Sequence, residues 1–421
     1  MAGQVAVGGS LSPSSAVTDR PSIAGWIRSP SWDKRWIIFP AFLAPLPVAI
    51  FYLSLYLLER YTGMDAVTRK GAAEDIVSLF VMVLVGGPHV WVTFTRTWLH
   101  PEFRRREKIW FFASFAVVPI VATMALSSEF TRKLLLTGFF FIASLHIIHQ
   151  LSYIIRFYQD RDATKPSLKS RLIDVGAVVF PLYPVSTFRM VMVNENSMAF
   201  AWASQWFGID QARELQFNIG RAHPLLPDFI LSDWFWMVNL VALVVALSLW
   251  GVKSFKEHRS GKLQHGKFLL ISCAIGVGLF CPLLPNLDSS FQGFNLWHSL
   301  QYIALTWYIT RFQMSKGRKQ HRFVNWLAKD DRSGTRYYGV AFGIVIALIA
   351  LIIGIAFVLS NVQGVGMFGG SGEPGTMTYR PGAILQAYYL FGFGLLLTHY
   401  FHDAFLFNMH TFSKKAVNTR E

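Results

Sequence analysis

About ten apolar stretches, each on the order of 20 residues, set the limits on what this chain can become. They run approximately over 36–58, 76–97, 109–127, 134–156, 172–193, 229–252, 268–285, 291–311, 338–360 and 383–406. A helix of that length crosses the roughly 30 Å hydrocarbon core of a bilayer. In lipid the backbone must satisfy itself, so continuous apolar runs of this kind are expected as helices. The predicted fold class is therefore all-α: a polytopic transmembrane helical bundle of about ten spans. It forms one domain over residues 31–410. Composition agrees, with 53% hydrophobic and 15% charged residues in 421, where a soluble chain carries about 25% charged. Residues 1–30 are rich in Ser, Gly, Pro and Ala and lack the apolar core of a signal peptide. They read as a disordered cytosolic tail, and residues 411–421 as a second, basic one.

The net charge of +15 is a matter of topology. With the N-terminus placed inside, the inner segments carry 30 Lys and Arg and the outer loops 8, while Arg189 lies within the fifth span. That asymmetry predicts cytosolic termini in a multi-pass protein of the cell membrane. It leaves no concentrated basic face for a nucleic-acid partner. Cys273 and Cys281 lie eight positions apart in one predicted helix, too far to bridge, and imply no disulfide framework. The outer segment 194–228 contains an amphipathic stretch that could cap a site from outside.

Strongly polar residues recur inside the lipid-soluble segments, and their distribution is uneven. Six histidines fall within spans: His89, His146 and His149, His298, and His399 and His402. All lie on the second, fourth, eighth and tenth spans, which run in the same direction. Steps of three and four residues share a helix face. This groups His146, His149, Gln150 and Tyr153 in "HIIHQLSY", His298, Gln301 and Tyr302 in "HSLQY", and His399, His402 and Asp403 in "HYFHD". On the second span His89, Thr93 and Arg96 align. Polar stripes in lipid face the bundle interior, so one shared site is expected, with His298 the member furthest off level. Arg96 and Arg156 mark its inner mouth, to hold a head group or to snorkel.

Imidazole is the commonest biological metal ligand, and histidines with a carboxylate suit iron, copper or zinc rather than magnesium or calcium. The expected ligands are His89, His146, His149, His298, His399 and His402, around a mono- or di-iron centre. Asp403, Tyr153 and Tyr302 are the expected catalytic side chains, and Gln150 and Gln301 orient the cofactor's ligands. Haem is less well suited, because the paired histidines are three residues apart. No HExxH motif appears.

"HIIHQ", "HYFHD", "WHSLQY" and "GGPHVW" together resemble, in kind, the histidine-rich membrane oxygenases: desaturases, hydroxylases and carotene-cleaving dioxygenases. The resemblance covers about a tenth of the chain, and the HxxHH desaturase pattern is missing. It implies oxidation of a lipophilic substrate such as an acyl chain or isoprenoid, by hydroxylation, desaturation or cleavage. The electron donor would be a separate cytosolic partner, since no dinucleotide fingerprint is present. Two other classes fit the same stripes: a proton- or metal-coupled transporter with a histidine relay, and a haem- or quinol-linked electron carrier.

Overall fold

The computed structural model describes residues 25–161, 165–192, 194–209, 212, 225–284, 286–317, 320–367 and 382–408. Among them there are helices and no strands. After an irregular helical entry, Pro30–Leu43, ten long helices follow: α1 Leu46–Tyr61, α2 Thr68–Arg96, α3 Lys108–Ser127, α4 Glu129–Gln159, α5 Leu168–Val191, α6 Asp233–Arg259, α7 His265–Leu283, α8 Leu287–Ser315, α9 Ser333–Gln363 and α10 Ala383–Ala404. Eight of these are long and apolar enough to cross a membrane. A ninth is gained if Pro30–Leu43 and α1, which meet at 41°, count as one broken span. The break falls at Pro45, which together with Pro47 withholds two backbone donors.

Helix α8 does not pass on apolarity, although its 29 residues would reach about 44 Å. Its inward side carries His298, Gln301, Tyr302, Thr306 and Thr310, all buried. The expected eighth span is thus the most polar helix of the bundle, and it lies at the centre of it.

Local sequence explains where helices begin and end. A capping box opens α4: Ser128 Oγ accepts from Thr131 N at 3.1 Å, and Ser128 N donates to Thr131 Oγ1 at 3.2 Å. Helix α9 stops at Gly364, whose φ of +66° is the left-handed turn that glycine enters without strain. Single π-turns interrupt α2 at Met82–Gly86 and α10 at Tyr388–Gly392. Such turns accompany functional sites in helical proteins. Here each stands on the N-terminal side of a buried histidine.

Helices α2, α4, α8 and α10 form the interior, with α2 packed on α8 and on α10, and α4 packed on both as well. Helix α6 lies outside this group against α5 and exposes Val238, Val241, Val245, Leu249 and Val252. Helix α9 similarly exposes Leu351, Phe357 and Val358. Those faces suit lipid as the surrounding solvent.

Of the expected tail 1–30, residues 1–24 lie outside the described residues. Residues 25–30 are packed against the bundle instead of trailing from it. Ile27 is fully buried, and its N–H and the Tyr158 hydroxyl both donate to the buried Asp33 Oδ2, at 2.7 and 2.8 Å. An apolar side chain and a carboxylate with three donors hold this segment, which composition alone did not reveal. The tail 411–421 also lies outside the described residues. Within the segment 194–228, Met198–Phe207 forms a helix capped by Ser197.

Candidate metal centre

Four buried side chains from three helices converge: His89 of α2, His146 of α4, and His399 and Asp403 of α10. One ligand atom from each lies within 4.8 Å of all the others. His89 Nε2 and His399 Nε2 are 2.6 Å apart. Asp403 Oδ2 stands 3.7 Å from His399 Nε2 and 3.8 Å from His146 Nδ1. With metal–nitrogen bonds of about 2.1 Å, tetrahedral donors lie about 3.4 Å apart. The separations here bracket that distance, so this His3Asp group could hold a metal ion.

Helix geometry decides which residues take part. A step of four residues advances about 400°, ending about 40° past the starting direction, whereas a step of three stops about 60° short of it. In every contributing helix the i+4 partner joins the polar interior. His89 pairs with Thr93, His146 with Gln150, His298 with Tyr302, and His399 with Asp403. The i+3 residues diverge, and this separates the expected ligands into two sets.

His149, expected beside His146, is only half-buried and is not in the converging group. His402 is fully buried but turned toward the C-terminal end of α2, with Nδ1 3.3 Å from Thr97 Oγ1. The rings of Phe94, Trp98 and Phe103 stand edge-on around it at 5.6–5.9 Å. His298 is level with the site after all, its ring 4.4 Å from that of His89 and 4.9 Å from that of His146. It is held by Gln150: Nδ1 donates to Gln150 Oε1 at 3.0 Å, and Gln150 Nε2 donates back to the His298 carbonyl at 2.9 Å. Gln150 thus orients an imidazole, but that of a histidine outside the converging four. Gln301 does not; its Nε2 donates to the Ile37 carbonyl at 2.6 Å and fastens the N-terminal entry to α8. Tyr153 lies in the apolar core beside Phe157, one turn from Gln150.

Tyr302 takes part directly. Its hydroxyl donates to Asp403 Oδ1 at 2.6 Å. Because that proton is committed, Thr93 Oγ1, 2.8 Å away, must donate to the Tyr302 oxygen. The Thr93 hydrogen is then used, so His399 Nδ1, 2.6 Å from Thr93 Oγ1, is the donor there. The chain of donation runs from His399 through Thr93 and Tyr302 to Asp403. It fixes the tautomer of His399, leaving the Nε2 lone pair facing His89. It also leaves Asp403 Oδ2, which accepts no hydrogen bond among the described residues, facing the imidazoles. Outer partners of this kind set ligand orientation and basicity in metal sites, and a continuous chain reinforces each bond.

Arg96 is 3% exposed and acts electrostatically on both Asp403 and Tyr302. It does not snorkel; a buried guanidinium offsets the buried carboxylate, which would otherwise be costly in this interior. Arg156, its expected counterpart, is half-buried near the C-terminal end of α4.

Thr93 was visible in the sequence as a residue in line with His89, but its role needs the geometry. Nothing in the sequence singled out Tyr400. Its ring lies 4.4 Å from that of His146, tilted by 30°.

Replacing Tyr302 with Phe keeps the ring against His89 but removes the proton given to Asp403. Metal affinity is expected to fall about 10–100-fold with the protein still inserted and folded. Metal titration of the purified variant measures this; unchanged affinity would mean that the donor chain does not shape the site.

No family model matches this chain, and comparison with curated proteins and with solved structures finds no match.

Proposed function

We propose that this chain is a membrane-embedded, metal-dependent oxidoreductase acting on a lipophilic substrate, with iron as its metal. The observation that carries the reading is the convergence of His89, His146, His399 and Asp403 inside a bundle whose outer faces suit lipid. Three imidazoles and one carboxylate favour iron, zinc or copper over the hard cations. Bound iron would supply oxygen activation for hydroxylation, desaturation or oxidative cleavage of an acyl chain or isoprenoid.

The chain's own residues would do the rest. The Thr93–Tyr302 link holds His399 in the tautomer that can ligate and holds Asp403 with one oxygen directed inward. Arg96 offsets the carboxylate's charge. The apolar side chains of α3, α4 and α10 exclude water and give a hydrocarbon a compatible surface. Electrons would come from a separate protein on the inner face, where the positive-inside pattern puts both termini. The centre is mononuclear in this reading, because His149 and His402 stand apart from the converging four and His298, beside them, has its Nδ1 bound to Gln150.

The test compares lipid extracts from cells expressing the wild-type chain or His399→Ala, grown under dioxygen. Mass spectrometry should find species gaining one oxygen, losing two hydrogens or cleaved, present with wild type and absent with the variant. Identical lipid profiles from an iron-loaded wild type would overturn the oxidoreductase reading.

A further inference from the structure

The metal centre is separated from the bundle's outer surface by very little on one side. Tyr400 of α10 lies over His146, ring to ring at 4.4 Å, and its centroid is 5.4 Å from His399. On the far side of Tyr400 is Phe139 of α4, stacked at 6.0 Å with planes 9° apart. Phe139 is half-buried, and its helix neighbours Phe141, Ile142 and Leu145 are exposed. A path from the apolar exterior to His146 thus crosses two aromatic rings. Above it Phe139 meets Phe393 edge to face at 5.1 Å, in a cluster with Val121, Leu135 and Leu396 whose polar atoms are the hydroxyls of Tyr388 and Tyr389.

Tyr400 is out of place in that wall. It is 8% exposed, yet its hydroxyl makes no hydrogen bond among the described residues. The other buried tyrosines nearest the interior are engaged: Tyr302 with Asp403, Tyr337 with Thr95, and Tyr158 with Asp33. The Tyr400 oxygen is not one of the fully buried side-chain atoms left unpaired, so it stays within reach of a ligand arriving through the wall. Phenylalanine would fill the same space but offer no polar atom there.

We propose that Tyr400 and Phe139 form a lateral, lipid-facing entrance, and that the Tyr400 hydroxyl binds the single polar oxygen of a long-chain lipophile. The ligand class is an oxygen-bearing hydrocarbon, such as a long-chain alcohol or carbonyl compound. Its chain lies along the cluster between α3, α4 and α10, and its oxygen pairs with Tyr400. Tyr400 is a substrate-contact residue, and Phe139 is the outer leaf of the entrance. The assignment deepens the oxidoreductase reading by naming the substrate class for the same site.

The test uses binding, which needs no turnover and no metal. Radiolabelled hexadecan-1-ol and hexadecane are titrated against the full chain in lipid nanodiscs, with protein-free nanodiscs subtracted. The wild type should bind the alcohol about tenfold more tightly than the alkane, the value of one net hydrogen bond. Tyr400→Phe should erase that preference while leaving alkane binding intact, and Phe139→Trp should weaken both by filling the entrance. Wild-type discrimination surviving in Tyr400→Phe, or absent from the wild type, would overturn the proposal. Metal content, measured on the same samples, separates the outcomes. A chain that binds the alcohol selectively but no metal refutes the metal reading alone, and one that binds metal but shows no alcohol preference refutes the entrance alone.

Discussion

His399→Ala is expected to leave less than about a tenth of the wild-type metal bound, because even outer-shell losses cost 10–100-fold in affinity. His399 is the member of the group with the most connections. Its Nε2 meets His89 at 2.6 Å, its Nδ1 donates to Thr93, and Asp403 follows one turn later on the same helix. His89→Ala and His146→Ala should show the same loss. His149→Ala and His402→Ala should keep the metal, since neither side chain joins the converging group. The contrast within each pair is the informative part, because adjacent turns of one helix give opposite results. Elemental analysis of the five purified variants checks it. Equal loss in His146→Ala and His149→Ala would mean that the i+3 residues ligate after all.

Gly394→Ala is expected to disable the site without touching any ligand. A Cβ on Gly394 would lie 2.9 Å from the Val118 Cα, a backbone atom of α3 that cannot turn aside. Helix α10 packs more closely on α3 than on any other helix, and it carries both His399 and Asp403. Overpacking of this kind costs about 1–3 kcal/mol. Displacement of α10 would also pull two of four ligands from register. A lowered unfolding temperature together with lost metal is the expected outcome. Gly343→Ala is the control, because a Cβ there meets nothing within 4 Å. If Gly394→Ala retains both stability and metal, the α3–α10 contact does not position the site.

The all-helical architecture, with eight helices long and apolar enough to cross a membrane, was legible because an apolar run of bilayer length has few alternatives. The boundaries were less so. Pro45 divides the first span, and α8 is too polar to register by apolarity because it runs through the centre. The packed residues 25–30 were hidden by composition: Ile27 and Asp33 hold the segment through contacts with Tyr158, 125 positions away from Asp33.

At the site, the spans and the residue types were visible, and the faces were only partly so. Steps of three and four look equivalent in a sequence, yet they diverge by about 100° around the helix. That angle separates Asp403 from His402 and Gln150 from His149. Depth was also misjudged. Counting from basic anchors put His298 furthest off level, whereas its ring is 4.4 Å from His89; one anchor, Arg96, is buried rather than at the surface. The donor chain through Thr93 and Tyr302 links three helices and has no signature within any one of them.

The central claim is one metal ion held by three imidazoles and one carboxylate. X-ray absorption at the metal edge of the purified, iron-loaded chain tests it most directly. The account predicts one iron per chain, a first shell of nitrogen and oxygen at about 2.0–2.2 Å, outer-shell scattering from three imidazoles, and no metal–metal vector. A protein that takes up no metal, or one whose spectrum requires two metals or six imidazoles, would contradict it.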